Sequence, residues 1–252
     1  QYLSNQYAIV ASNWNETVSP TNFANLWGWW HGDTLNGVLA NGDKVSTWSD
    51  QSGNGRDFTN ANANCQPFYW SNQFNGHSCL GFWSNQPLSQ FMVLNKPRFT
   101  NNPGDQYFIV AVNRMTNGFS YLLSDAGGAV GQWRSPEANG AVFPTAHLYD
   151  TLSHFSDKWL MPTNVLRVNA IVAQTNTAGT YIYSHFVNVT NTGDYSGSYF
   201  AHYWSKIGGD VGTQAGFTGG ELCELIIYKG RMTYNDYARL FFTYLKPKWG
   251  IP

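Results

Sequence analysis

Charge is scarce in this chain of 252 residues: Asp, Glu, Lys and Arg together make up 12% of it, about half the usual globular share. The 14 basic residues form no run and the formal charge is −1, so no electrostatic footprint for nucleic acid or anionic lipid is present. No apolar run approaches the roughly 20 residues of a membrane-spanning helix, and membrane insertion is not expected. No secretory leader pattern is visible, and a start at Gln1 rather than Met leads us to expect an N-terminal segment that either has been removed or is not part of this sequence. Cysteine is limited to Cys65, Cys79 and Cys223, without a Cys-x-x-Cys pair, which excludes a zinc ribbon or a thioredoxin-like motif. Cys65 and Cys79 suit one disulfide in an oxidising compartment, and three buried thiols is the competing reading. There is no Gly-x-Ser-x-Gly, His-x-His or His-Glu-x-x-His, and none of the six His stands near a recognisable catalytic partner.

What is abundant is aromatic. Phe, Trp and Tyr reach 17% of the chain, with 11 Trp, and the scarcity of charge leaves much of the surface to Asn, Ser, Thr, Gln and Gly. That balance suits an extracellular or particle-surface β protein. Short runs separated by turn residues predict strands throughout. Leu26 to His31 is read as a strand with Trp27 and Trp29 on one face and Trp30 on the other. Lys44 to Gly55 reads as a strand carrying Trp48 into the core and stopping at a loop shaped by Asp50, Gly53, Asn54 and Gly55. Gln66 to Trp70 and Ser78 to Phe82 are joined through an Asn75-Gly76 turn. Gln106 to Asn113 is apolar on both sides and belongs in the middle of a covered sheet. Strands are also expected at Tyr121 to Ser124, Ala141 to Phe143, Val165 to Gln174, Thr180 to Val189 and Glu221 to Tyr228, with a hairpin turn at Thr175 to Gly179. The clearest helix is Thr233 to Lys246, N-capped by Thr233 and stopped by Pro247. Residues 1 to 25 are expected to form an arm or edge segment, and 26 to 252 one domain. Asn15 and Asn188 lie in glycosylation sequons.

The order Leu-Trp-Gly-Trp-Trp from Leu26, Lys-Val-Ser-Thr-Trp-Ser-Asp-Gln-Ser-Gly-Asn-Gly from Lys44, Asn75-Gly76, Phe108-Ile-Val-Ala-Val, Glu221-Leu-Cys-Glu-Leu-Ile-Ile-Tyr and the closing helix with Lys248-Trp249-Gly250-Ile251 resembles the concanavalin A-like, laminin-G-like jelly-roll family. The resemblance runs from about Leu26 to Ile251 and implies an all-β fold: a two-sheet antiparallel jelly-roll sandwich with one C-terminal amphipathic helix. Such domains occur in secreted bacterial proteins and in phage and other virion proteins, many of them binding or structural modules.

Glycosidases of that family carry a Glu-x-Asp-x-Glu strand whose alternation sets acid and nucleophile on one face. No such triplet occurs here, and Glu221 and Glu224, three residues apart, are expected on opposite faces of their strand. Related folds hold calcium at a rim loop, which makes Asp33, Asp50 and Asn54 the candidate oxygen donors; the competing reading of Asp50 is a carboxylate that only ties its own turn. Trp30, Trp70, Trp83, Trp133, Tyr203 and Trp204 are the candidates for a glycan platform or a subunit interface, since sugar rings stack on aromatic faces. The expectation is a non-catalytic module of an extracellular or virion surface, contacting neighbouring subunits or glycans. A polysaccharide-active enzyme of the same fold is the alternative.

Overall fold

The structure of the protein, a computed structural model, describes residues 16–82, 90–96, 106–115, 120–125, 132–135, 145–149, 154–160, 164–175, 181–187, 190–197, 204–208, 220–230 and 232–251. The first strands in chain order are β1 (Leu26–His31), β2 (Thr47–Trp48), β3 (Phe58–Thr59), β4 (Phe68–Phe74), β5 (His77–Phe82) and β6 (Met92–Leu94). Then come β7 (Gln106–Met115), β8 (Ser120–Asp125), β9 (Gln132–Ser135), β10 (Thr145–Tyr149) and β11 (His154–Leu160). The last are β12 (Arg167–Thr175), β13 (Tyr181–Val187), β14 (Thr190–Gly197), β15 (Trp204–Ile207) and β16 (Gly220–Lys229).

They form two eight-stranded sheets. The first runs β14-β13-β12-β7-β16-β5-β4, with β1 also paired to β16, and the second runs β11-β10-β9-β8-β15-β6-β3-β2. The strand pairings are antiparallel, so this is the expected two-sheet antiparallel sandwich. Between the sheets lies a core in which Trp30, Leu80, Ile109 and Leu225 of the first sheet meet Phe58, Met92, Leu123 and Ile207 of the second. The other face of the first sheet, with Phe108, Val110, Val112, Ile226 and Tyr228, is covered by Tyr237, Leu240, Phe241, Leu245 and Trp249 of the C-terminal helix. β7 alternates Ile109 and Ala111 toward one core with Val110 and Val112 toward the other, all four fully buried. Its two-sided apolar pattern is therefore explained by helix on one side and sheet on the other.

Two bulges change what strict alternation predicts. In the β1–β16 ladder Leu26 faces Tyr228 and Gly28 faces Ile227, so Trp27 is the extra residue. Trp27 and Trp30 thus share the inter-sheet core, while Trp29 turns to the helix side with Leu26. In the β7–β16 ladder Leu222 faces Asn113 and Glu224 faces Val112, which leaves Cys223 extra. Because Arg114 and Val112 lie on one face of β7, their partners Glu221 and Glu224 lie on the same face of β16, not on opposite ones.

The helix also departs from expectation. It starts at α1 (Tyr234–Leu240) under a Thr233 cap whose hydroxyl accepts from the Asp236 N–H, passes through a π-helical turn at Phe241–Leu245, and continues as α2 (Lys246–Trp249). Pro247 follows directly on the π-helical turn, whose Lys246 N–H donates to the Phe241 carbonyl, and the helix continues through it to Trp249, so it does not stop the helix. The stop is Gly250, in the left-handed region at φ 63°. The Asn75 amide of the β4–β5 turn donates to the Pro247 and Lys248 carbonyls at 2.9 Å each, which ties the hairpin to the helix end.

The three thiols are buried and unbridged, so the Cys65–Cys79 disulfide does not form. Cys79 instead lies beside Cys223, whose thiol is pushed well up by burial and by its Cys79 neighbour. Residues 1–15 of the arm or edge segment expected at 1–25, the sequons' Asn15 and Asn188, the strand expected at Ala141 to Phe143 and most of the Thr175 to Gly179 turn lie outside the described residues.

Candidate functional site

At one rim of the sandwich β1, β7 and β16 end beside the loop that follows β2. The chain enters β1 through Asn25, whose φ of 62° places it in the left-handed region. Its carbonyl accepts from the Lys229 N–H at 2.8 Å, and the Gly230 N–H donates to the Gln106 carbonyl at 2.6 Å. These bonds fix a groove of about 490 Å³ lined by Asn25, Leu26, Trp27, Asn54, Arg56, Gln106, Lys229 and Gly230. The described lining thus holds three side-chain amides, two cations and an indole, and no carboxylate.

The loop on the groove's flank is organised by Asp50. Its carboxylate accepts from the backbone N–H groups of Trp29 at 3.0 Å, Ser52 at 2.8 Å and Arg56 at 3.0 Å, and from the Ser52 hydroxyl at 2.8 Å. Four donors aimed at one carboxylate shape a turn; a calcium ion needs six to eight oxygens turned toward it instead. The Asn54 amide nitrogen is spent on the Leu26 and Trp27 carbonyls and the Ser52 hydroxyl. Asp33 belongs to a different cluster, described next. The candidate calcium donors therefore do not fit a common ion, and no group of three or more His, Cys, Asp or Glu among the described residues could hold one.

A polar cluster lies under the helix. Glu224 is fully buried and accepts from Trp29 Nε1 at 2.6 Å, Tyr244 Oη at 2.8 Å, Lys248 Nζ at 3.1 Å and Trp249 Nε1 at 2.6 Å. Burial and the adjacent Glu224 carboxylate push the Tyr244 hydroxyl far above its usual range, so it stays a donor. Lys248 also lies 3.7 Å from Asp33. Asp33 accepts from the Ser78 N–H at 2.9 Å, sits 2.8 Å from His77 Nδ1 and has the His31 ring at 3.7 Å. Burial pushes the Asp33 carboxyl up, but His31, the Ser78 N–H, His77 and the Lys248 charge outweigh it and hold the group well below the usual carboxylate range.

That shift has a pH consequence. The ionised Asp33 contributes stability that is fully present above its unfolded value of about 3.9 and is lost as pH falls through the lower folded value. Urea unfolding at pH 7 and at about pH 3 should therefore show a stability gap between wild type and Asp33→Asn that narrows on acidification. A gap that stays constant or widens would contradict this assignment.

The aromatic candidates scatter. Trp30 is 0% exposed in the inter-sheet core and offers no ring to a ligand. Trp70 is half-buried on β4, packed against the helix-side core with its ring 6.0 Å from Phe68. Trp133 lies in β9 and Trp204 in β15, and Trp83 and Tyr203 lie outside the described residues. The indole that does line the groove is Trp27, which alternation assigned to the wrong partner face. Asn25, Arg56, Gln106 and Lys229 carry no motif that a sequence search would select.

No protein-family model matches the chain, and no curated protein matches it in sequence. Solved structures do match in fold. Domain 4 of AbnA, a GH43 extracellular arabinanase from Geobacillus stearothermophilus, in complex with arabinotriose, aligns with a TM-score of 0.55 and 13% identity over 86% of this chain and 98% of that one. A GH54 α-L-arabinofuranosidase aligns at 0.55 and 12% over 89% of this chain, which spans 60% of the arabinofuranosidase. The binding domain of Paraclostridial Mosquitocidal Protein 1 aligns at 0.53 and 14%, over 93% of this chain and 56% of that one. At these identities the likeness shows the fold alone, and on that ground the chain is placed among β-sandwich domains.

Proposed function

We propose that the chain is a non-catalytic saccharide-binding sandwich module of the concanavalin A-like, laminin-G-like kind, working at an extracellular or virion surface and contacting glycans or neighbouring subunits. The observation that carries this reading is the rim groove. Side-chain amides and cations that converge on one groove can hydrogen-bond sugar hydroxyls, beside a Trp27 indole that is largely buried and capped by the Arg56 guanidinium. The arabinotriose-bound arabinanase domain has the same fold and nearly the same extent. The scarcity of charge, with Asn, Ser, Thr and Gln in its place, supports the extracellular setting.

Support for a non-catalytic role comes from the two described acids of β16. A glycosidase needs two carboxyls that reach the scissile bond. Glu224 is sealed beneath the helix, and Glu221, 3% exposed, is held by the Arg114 guanidinium.

Binding is tested by calorimetry on arabinan and by a glycan array, alongside a reducing-sugar assay for hydrolysis. Asn25→Gly is the informative variant, because glycine accepts the left-handed backbone without strain and removes only the side chain. It should retain the wild-type melting temperature while weakening saccharide binding about tenfold, the size of a lost hydrogen bond to a sugar. Release of reducing ends, or unchanged affinity in Asn25→Gly and Gln106→Ala, would refute the proposal.

A further inference from the structure

The guanidinium of Arg56 is held in place by groups that do not neutralise it. Its carbon stands 4.4 Å above the Trp27 ring and Nη1 donates to the Trp27 carbonyl at 2.9 Å. Its backbone is fixed at both ends: the N–H donates to Asp50 at 3.0 Å, and the carbonyl accepts from Trp30 Nε1 at 2.9 Å. No carboxylate among the described residues pairs with the Arg56 side chain, although it is half-buried at the groove wall. A second cation, Lys229, stands at the same groove between Asn25 and Gly230. The chain as a whole has a formal charge of −1, so two cations lining one groove are a local feature and not a reflection of a basic protein.

We infer that the groove takes an acidic saccharide, seating a sugar carboxylate or sulfate on the fixed guanidinium of Arg56. This rests on the saccharide-binding reading above and names the ligand class for the same site. A guanidinium stacked on an indole has already lost most of its rotamer freedom, and its planar N–H fork matches a two-oxygen anion. The amides of Asn25 and Gln106 supply the neutral contacts that hold the rest of the sugar ring. The carboxylate is the better match to the planar fork, and the sulfate presents the same charge on a tetrahedral frame.

The test compares retention and calorimetry on four polymers: polygalacturonate, dextran sulfate, neutral dextran and arabinan. Wild type should bind polygalacturonate at least about tenfold more tightly than either neutral polymer, with the advantage shrinking as salt rises. Arg56→Gln should lose about tenfold or more on polygalacturonate and little on the neutral polymers. Arg56→Lys should recover only part of that, because it restores charge without the fork. Because Arg56 also holds the Trp27 carbonyl, each variant is checked by near-ultraviolet circular dichroism, and Lys229→Gln serves as a second variant that leaves that bond intact. Preference for dextran sulfate that Arg56→Gln abolishes supports the sulfate form of the inference. Equal affinity for acidic and neutral polymers, or acidic binding unchanged in both Arg56→Gln and Lys229→Gln, overturns the inference and leaves the saccharide reading standing. Binding to none of the four polymers overturns both.

Discussion

Glu224→Ala should unfold at a stability about 3–5 kcal/mol below wild type, the range for removing one partner of a buried ion pair. The reason is the geometry around a carboxylate with no exposed surface. Its donors come from three places in the chain: Trp29 on β1, Tyr244 in the π-helical turn, and Lys248 and Trp249 on α2. Removing the acceptor leaves two indole N–H groups and the Tyr244 O–H without their acceptor, and a lysine ammonium, 11% exposed, that keeps its 3.0 Å bond to Tyr244 Oη but has Asp33, at 3.7 Å, as its remaining counter-charge. Each of those is a desolvated donor whose loss of a partner is costly. Glu224→Gln keeps the shape and one acceptor oxygen while removing the charge, so its loss should be smaller, about 1–3 kcal/mol. Urea unfolding followed by tryptophan fluorescence measures both, and the environments of Trp29 and Trp249 should change in the folded baseline. An alanine variant within about 1 kcal/mol of wild type, the typical cost of an unremarkable substitution, would show that the cluster does not hold the helix to the sheet.

Much of the framework follows from periodicity and turn chemistry alone. β7 reads as a two-sided buried strand because residues 107 to 112 leave no polar face, and the structure covers both sides. The Asn75-Gly76 turn is legible because both residues take positive φ, at 48° and 85°. The positions of Trp27, Trp29 and Glu224 were not legible, and the cause is the same in each case. A bulge inserts one residue and reverses every later face assignment in that strand, and nothing local in Trp-Gly-Trp-Trp or Glu-Leu-Cys-Glu marks the extra residue. The helix end was misread for a related reason, since Pro247 follows directly on the π-helical turn and the helix continues through it. The groove was hidden more deeply. Asn25, Gln106 and Lys229 come from segments far apart in the chain and meet because β1 and β7 both pair with β16, while the Asp50 loop after β2 brings Arg56 beside them. Trp30 was a platform candidate on chemistry alone, and only the sheet pairing shows that its ring points inward.

That ring sets up the second large effect. Trp30 is fully buried, with Phe58 at 4.8 Å and Trp27 at 6.4 Å between ring centroids, and its Nε1 donates to the Arg56 carbonyl at 2.9 Å. Trp30→Ala should therefore cost about 3–5 kcal/mol through lost burial and an unfilled cavity. The indole reaches this position by folding back over Gly28. A Cβ at residue 28 would lie 2.1 Å from Trp30 Cη2, 2.7 Å from Cζ3 and 2.9 Å from Cζ2. Those atoms are not the loose end of a flexible side chain; they are wedged in the core and cannot retreat. Gly28→Ala alone should thus cost about 1–3 kcal/mol or more, as overpacking does, even though alanine is the better strand residue on backbone entropy. The double variant Gly28→Ala/Trp30→Ala decides the mechanism. With the ring gone the clash is gone, so the pair should be no less stable than Trp30→Ala by itself, and the two changes should couple by an amount close to the whole cost of Gly28→Ala. Additive losses in denaturant unfolding would instead mean that Gly28 is required for the backbone path of β1 beside its bulge, and that the indole is not what excludes a side chain there.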